Sequence, residues 1–308
     1  MPDWTYQTLF RPALMSLGVE RGCAIALNAI GALARAPSGR RVIQLMGHMA
    51  PDPRLRVERK GLTFASRVGL GHRLDPGCIA TAAFAEFGFG FLEVGPATES
   101  TASTLVRALR PADDRFPPIL VRVAPNSAEE MHELAIRLAD RVAGFVVPTE
   151  HLETARRTLQ ASASADRIFA ALPANYSNDR RQQACCEAAL REGWLAGVVV
   201  DEAEVVAVRQ LRQSHGPALT IIAATTAESP AEALDLLEAG ADFVAIDRAM
   251  INAGPGLPKR INEALLYAEL ASEQGVAERT SDSANAGSAE RARTTTESWF
   301  WASAPSSR

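Results

Sequence analysis

From about residue 61 to 272, short apolar runs alternate with amphipathic stretches, and this alternation predicts the fold. Eight runs read as strands: SRVGLG at 66–71, FGFLEVG at 89–95, ILVRVA at 119–124, AGFVVP at 143–148, RIFAAL at 167–172, AGVVVD at 196–201, LTIIAA at 219–224 and DFVAID at 242–247. Most are continuously apolar, as strands buried on both faces must be. The segments 127–141, 178–192 and 229–239 between them have helical spacing. Ser127 and Ser229 stand where N-caps belong, and Glu130 follows Ser127 at capping-box spacing. Gly193 and Gly240 fall where helices end. Eight βα units in roughly 210 residues match the count and length of an α/β (β/α)8 TIM barrel, with an open doubly wound sheet as the alternative.

The flanks have a different character. Residues 1–60 predict an N-terminal helical extension, with helices over about 5–17 and 19–35 broken at Leu17-Gly18. The second helix carries Ile25, Leu27, Ile30 and Leu33 among alanines. Two readings stay open: a hairpin packed on the barrel, or an amphipathic pair that meets a membrane or an apolar ligand. Arg11, Arg21, Arg35, Arg40 and Arg41 would suit anionic lipid head groups. Residues 273–308 are rich in Ser and Thr and lack Leu, Ile and Met, which predicts a disordered polar tail. Within it, Trp299-Phe300-Trp301 is an aromatic triplet that anchors a protein partner or the barrel itself, or else has no role.

Composition narrows the function. The chain has 308 residues, and 32 basic residues face 36 acidic ones, so no basic face for nucleic acid is expected. Lysine occurs only at Lys60 and Lys259, so any lysine chemistry must use one of those two positions. Cys23, Cys78, Cys185 and Cys186 form no CxxC pair, which predicts neither a disulfide framework nor a zinc site. No run of 18 apolar residues and no signal-peptide pattern is present, so the expected location is the cytoplasm, with a peripheral association at the inner membrane face left open.

Three blocks carry a family resemblance. GLTFASRVGLGHRLDPGCIATAAFAEFGFGFLEVG resembles the first two βα units of dihydroorotate dehydrogenases. ALDLLEAGADFVAIDRAMINAGPGLPKRINEAL resembles their eighth strand and closing helices. YQTLFRPALMSLGVERGCAIALNAIGAL, with DPRLRVERKGL after it, is similar to the helical extension of the membrane-associated, quinone-dependent class. The resemblance implies oxidation of dihydroorotate to orotate, in the pathway of pyrimidine synthesis. Flavin mononucleotide takes the hydride, a serine acts as base, and quinone reoxidises the flavin.

The same alignment implies losses at the strand ends. Asp75 matches the family, but Pro76 replaces a lysine that contacts flavin and substrate. Pro96 replaces a flavin-contacting threonine, while Thr98 matches the next one. Arg122 replaces an asparagine, and Pro148 occupies the position of the base, with Thr149 the nearest hydroxyl. Ala171 replaces the second lysine, and Glu202-Ala203-Glu204 replaces Asn-Thr-Thr. Ala223-Ala224-Thr225-Thr226 replaces the glycines that cradle the flavin phosphate, and Asp247-Arg248 follows on the last strand. Asn126 and Asn175 remain as candidates for a substrate pocket.

No catalytic residue is therefore assigned, and flavin is expected to be absent or weakly held. Thr98, Thr225, Thr226 and Arg248 are the candidates for an anion site; alternatively Arg248 pairs on the surface with Asp247 or Glu228. No metal site is expected, and the Cys185-Cys186 pair reads as helix packing. Two functions stay open: a dehydrogenase-like protein with lost or very weak catalysis, or a flavin-free barrel that binds a ligand, a membrane or a protein.

Overall fold

The computed structural model describes residues 6–47, 50–109, 116–160, 167–174, 176 and 180–272. The tail, with Trp299, Phe300 and Trp301, lies outside the described residues, as does Asn175.

The chain opens with a π-helical turn, Tyr6–Phe10, then helices α1 (Arg11–Ser16), α2 (Val19–Arg35) and α3 (Gly39–Gly47). Gly18 breaks the first pair at φ 85°, a left-handed conformation that suits glycine. A hairpin not read from the sequence follows, β1 (Val57–Arg59) with β2 (Leu62–Phe64). Its turn residues Lys60 and Gly61 both have positive φ.

The eight expected strands all form: β3 (Val68–Leu70), β4 (Phe91–Ala97), β5 (Ile119–Val123), β6 (Gly144–Pro148), β7 (Ile168–Leu172), β8 (Gly197–Val200), β9 (Thr220–Thr225) and β10 (Phe243–Ile246). They close in the order β10-β3-β4-β5-β6-β7-β8-β9, with every pairing parallel. Helices cover the barrel: α4 (Thr81–Phe84), α5 (Glu99–Ala108), α6 (Ala128–Leu138), α7 (Leu152–Leu159), α8 (Arg180–Arg191), α9 (Val205–His215), α10 (Pro230–Glu238) and α11 (Ala249–Ala253). A last helix, α12, runs over 257–272. Ser127 and Ser229 cap α6 and α10 through their side chains, as expected. Glu130 reaches one residue past the cap, however, and accepts from the amides of Asn126 and Glu99. Gly193 and Gly240 end their helices at positive φ.

One apolar residue from each of seven strands fills the lumen: Phe91, Leu120, Val146, Phe169, Val199, Ile222 and Phe243. The eighth strand supplies Gly69, because the Phe91 ring takes the space its Cβ would need. The hairpin plugs the N-terminal end. Phe64 packs against Phe243 at 4.5 Å between ring centres and edge-on to Phe91 at 6.0 Å. With that end closed by aromatic packing, only the C-terminal strand ends are left for chemistry.

Candidate functional site

Side chains two residues apart on a strand share a face. Above the apolar layer the lumen therefore carries Gly71, Glu93, Arg122, Pro148, Ala171, Asp201, Ala224 and Asp247. Arg122 organises them. Its Nε donates to Glu93 Oε1 at 2.7 Å, from β5 to neighbouring β4. Its Nη1 and Nη2 donate to Asp201 Oδ2 and Oδ1 at 2.9 and 2.8 Å. Asp201 follows β8, three strands away around the ring, so this bidentate pair spans the mouth.

Glu93 is 1% exposed. Burial pushes its carboxyl up, but Arg122 and His72 beside it outweigh this and hold it below its ordinary value. His72 Nδ1 lies 3.4 Å from Glu93 Oε1 without the alignment of a hydrogen bond. Arg73 donates to Glu202 Oε1 at 2.9 Å and stands 3.9 Å from Asp247 Oδ2. Asp247 is pushed up to about 6, chiefly by burial. The buried atoms Glu93 Oε2, Asp247 Oδ1 and His72 Nδ1 have no hydrogen-bond partner among the described residues.

The expected site residues are placed differently. Pro148 ends β6 beside Ala171 on β7, so both positions are apolar, as read from the sequence. The buried hydroxyl of Thr149 donates to Glu150 Oε2 at 3.3 Å. Thr98 is the N-cap of α5 in a capping box with Thr101. Asn126 is exposed and donates twice to Glu130. Thr225 accepts from the Ala227 amide at 3.1 Å, while Thr226 and Arg248 are exposed. Arg248 makes no ion pair among the described residues: Glu228 accepts from Asn252 instead, and Asp247 faces Arg73. Asp75 accepts from the amides of Ile79 and Ala80 and from the Thr81 hydroxyl, so it shapes the turn into α4.

Sequence reasoning missed Glu93. The available signal was a carboxylate inside FGFLEVG, two residues from a lumen phenylalanine, opposite an arginine inside ILVRVA. Two opposite charges in adjacent buried strands can be accommodated only by pairing.

A second site lies under the N-terminal helices. A cavity of about 390 Å³ is lined by Tyr6, Leu14, Ala26, Ile30, Phe84 and Met250, among other residues, and is overwhelmingly apolar. The one phenol on its wall is satisfied: Tyr6 donates to the Ile251 carbonyl at 2.6 Å. On the N-terminal helices Leu17, Val19, Ile25 and Leu33 are exposed, together with Arg21, Arg35 and Arg41. Among the described residues no single helix is long and apolar enough to cross a membrane; 6–14 and 19–35 pass only jointly and are bent by 117°.

A plugged (β/α)8 barrel with an apolar cavity under an N-terminal helical layer is a definite class of protein, and the comparisons make it specific. No family model matches the chain. The dihydroorotate dehydrogenase (quinone) of Sphingopyxis alaskensis is 25% identical over 357 aligned positions, covering 91% of this chain and 96% of that protein. Its counterpart in Deinococcus deserti is 34% identical, over 40% of this chain. In this and the other first relatives the match spans about a third or less of the relative's length. A ligand-free dihydroorotate dehydrogenase structure from Eimeria tenella superposes with a TM-score of 0.60 at 18% identity, covering 74% of this chain and 93% of that one, and shows the common fold. Over most of its length the chain is thus similar to dihydroorotate dehydrogenases (quinone).

Proposed function

We propose that this chain is a family member without flavin chemistry, a barrel that takes an apolar ligand in the cavity under its N-terminal helices. The observation that carries the reading is the Arg122 bridge from Glu93 to Asp201 across the barrel mouth.

Flavin mononucleotide is the family's cofactor, and the residues present do not fit it. A flavin phosphate needs free amides and bare backbone at the last strand ends. Here the Thr225 hydroxyl takes the Ala227 amide. The amides of Glu228 and Glu232 are taken by Glu232 Oε2 and Ser229 Oγ. The carboxylates of Glu228 and Asp247 add repulsion for a dianion in the same region. The lumen positions that would meet an isoalloxazine ring hold an ion network, and no lysine stands at the C-terminal end of a barrel strand. The alternative, retained dihydroorotate oxidation, finds one hydroxyl near the base position, Thr149, and its proton is already donated to Glu150.

The N-terminal layer supports ligand uptake from a lipid surface. Leu33 and Val19 line the cavity and are also exposed, so its opening meets an apolar patch flanked by arginines. This supports a peripheral position on an anionic membrane face. The expected result is saturable binding of a short-chain ubiquinone analogue by the colourless protein, abolished by Ala26→Trp, whose indole would fill the cavity. Vesicle flotation with anionic lipid should be lost in Leu17→Asp/Val19→Asp. Binding unchanged by Ala26→Trp would overturn the cavity as the ligand site.

A further inference from the structure

The cavity under the N-terminal helices is long and thin. Along one wall Val19, Cys23, Ala26, Ile30 and Leu33 face it. They recur at steps of four and three residues, so they form one row down α2. From Val19 to Leu33 that row runs about 21 Å along the helix axis, at 1.5 Å per residue. A volume of about 390 Å³ drawn out over that length averages roughly 19 Å² in section. That is the girth of one extended alkyl chain, and a second chain would need twice as much. Val19 and Leu33, which line the two ends, are also exposed.

The wall offers almost nothing to a polar head group. Among the described residues that line the cavity, Tyr6 alone carries a side-chain oxygen, and its proton is already donated to the Ile251 carbonyl at 2.6 Å. The Cys23 thiol is a weak donor. Burial pushes it up against the opposing pull of Arg248, so it stays protonated and neutral. A quinone ring buried here would exchange the water around its two carbonyls for that one thiol, and an acceptor left without a donor weakens binding. A saturated chain carries no polar atom and gains from every methylene removed from water.

We propose that the cavity binds one long-chain fatty acid, its saturated chain laid along α2 and its carboxylate left in water at an end of the channel. The inference rests on the apolar-ligand reading above and gives that ligand a chemical class. At about 30 Å³ per methylene, close to the liquid volume of a water molecule, the cavity holds roughly 13 carbons. Carbons beyond the channel project into water and add little.

Equilibrium dialysis of the full-length protein against octanoate, dodecanoate, hexadecanoate and eicosanoate tests it, each held below its micelle concentration. A methylene that enters the channel tightens binding by about fourfold, so dodecanoate should bind at least about tenfold more tightly than octanoate. From hexadecanoate to eicosanoate the added carbons lie outside, and the gain should fall below about threefold. Ala26→Trp sets an indole midway along the row and should weaken hexadecanoate by at least about tenfold. Ile136→Ala, which trims an exposed apolar side chain on α6 outside the cavity wall, should leave it unchanged. Affinity that keeps climbing by the same factor through eicosanoate, as adsorption to an exposed patch gives, would overturn the inference. So would hexadecanoate binding that Ala26→Trp leaves intact. A short-chain ubiquinone analogue separates the two claims. If it saturates and no carboxylate does, the fatty-acid inference falls and the apolar-ligand reading stands. If neither it nor any carboxylate binds, the reading beneath falls as well.

Discussion

Dihydroorotate supplied with flavin mononucleotide and a ubiquinone analogue should be oxidised no faster by this protein than by buffer. On the proposed reading, two contributions to lowering the barrier are lost together. The resemblance puts the base position at Pro148, whose side chain has no proton acceptor, and a positioned base alone contributes roughly 10²–10⁴ in rate. Substrate positioning is a separate contribution of comparable or greater size. Asn126, a candidate for it, is turned to solvent and bonded to Glu130. No lysine can substitute, since Lys60 sits in the hairpin turn and Lys259 in the closing helix. A dye-coupled assay checks this, together with complementation of a strain lacking its own enzyme. Growth without uracil that is lost in Thr149→Ala would show that Thr149 and Glu150 have been rebuilt into a working base.

Arg122→Leu should be among the most destabilising single changes in the barrel. The substitution leaves Glu93 buried with only His72 beside it and removes the guanidinium that ties β4 and β5 to the end of β8. Breaking a buried pair from one side costs about 3–5 kcal/mol. For a domain of this size that corresponds to a fall in Tm of roughly 10 °C, readable by calorimetry. Glu93→Leu combined with Arg122→Leu should recover more than half of the loss, because apolar replacement of both partners removes the desolvation penalty along with the attraction. Asp201 lies nearer the rim, at 16% side-chain exposure, and tolerates the loss of its partner better. A single Arg122→Leu that shifts Tm by less than about 2 °C would mean that the bridge does not hold the mouth.

The barrel was legible because its strands are buried on both faces and so appear as uninterrupted apolar runs, and because Ser127, Ser229, Gly193 and Gly240 mark helix ends by local chemistry. The hairpin Val57–Phe64 was not, since its three-residue strands are too short to establish an alternating pattern. The apolar face of the second N-terminal helix was visible at Ile30 and Leu33, whereas the cavity it roofs depends on Phe84 and Met250, which arrive from distant parts of the chain. At the strand ends, residue types alone point to hydroxyls and amides, which have local structural roles as well. Thr98, Thr225 and Asn126 are the residues that caps and turns recruit, and each is used that way here. Which of the strand-end charges pair could not be read, because Arg122 reaches Asp201 across 79 residues of sequence and three strands of the barrel.

The central claim is that the barrel mouth has exchanged a flavin for its own ion network. Equilibrium titration of the purified full-length protein with flavin mononucleotide, followed by flavin fluorescence and visible absorption, tests it most directly. The account predicts a colourless preparation and no saturable quenching by about 100 μM flavin, an affinity weaker than roughly 5 kcal/mol of binding free energy. A yellow protein carrying stoichiometric flavin, or quenching that saturates at low micromolar concentration, would contradict it.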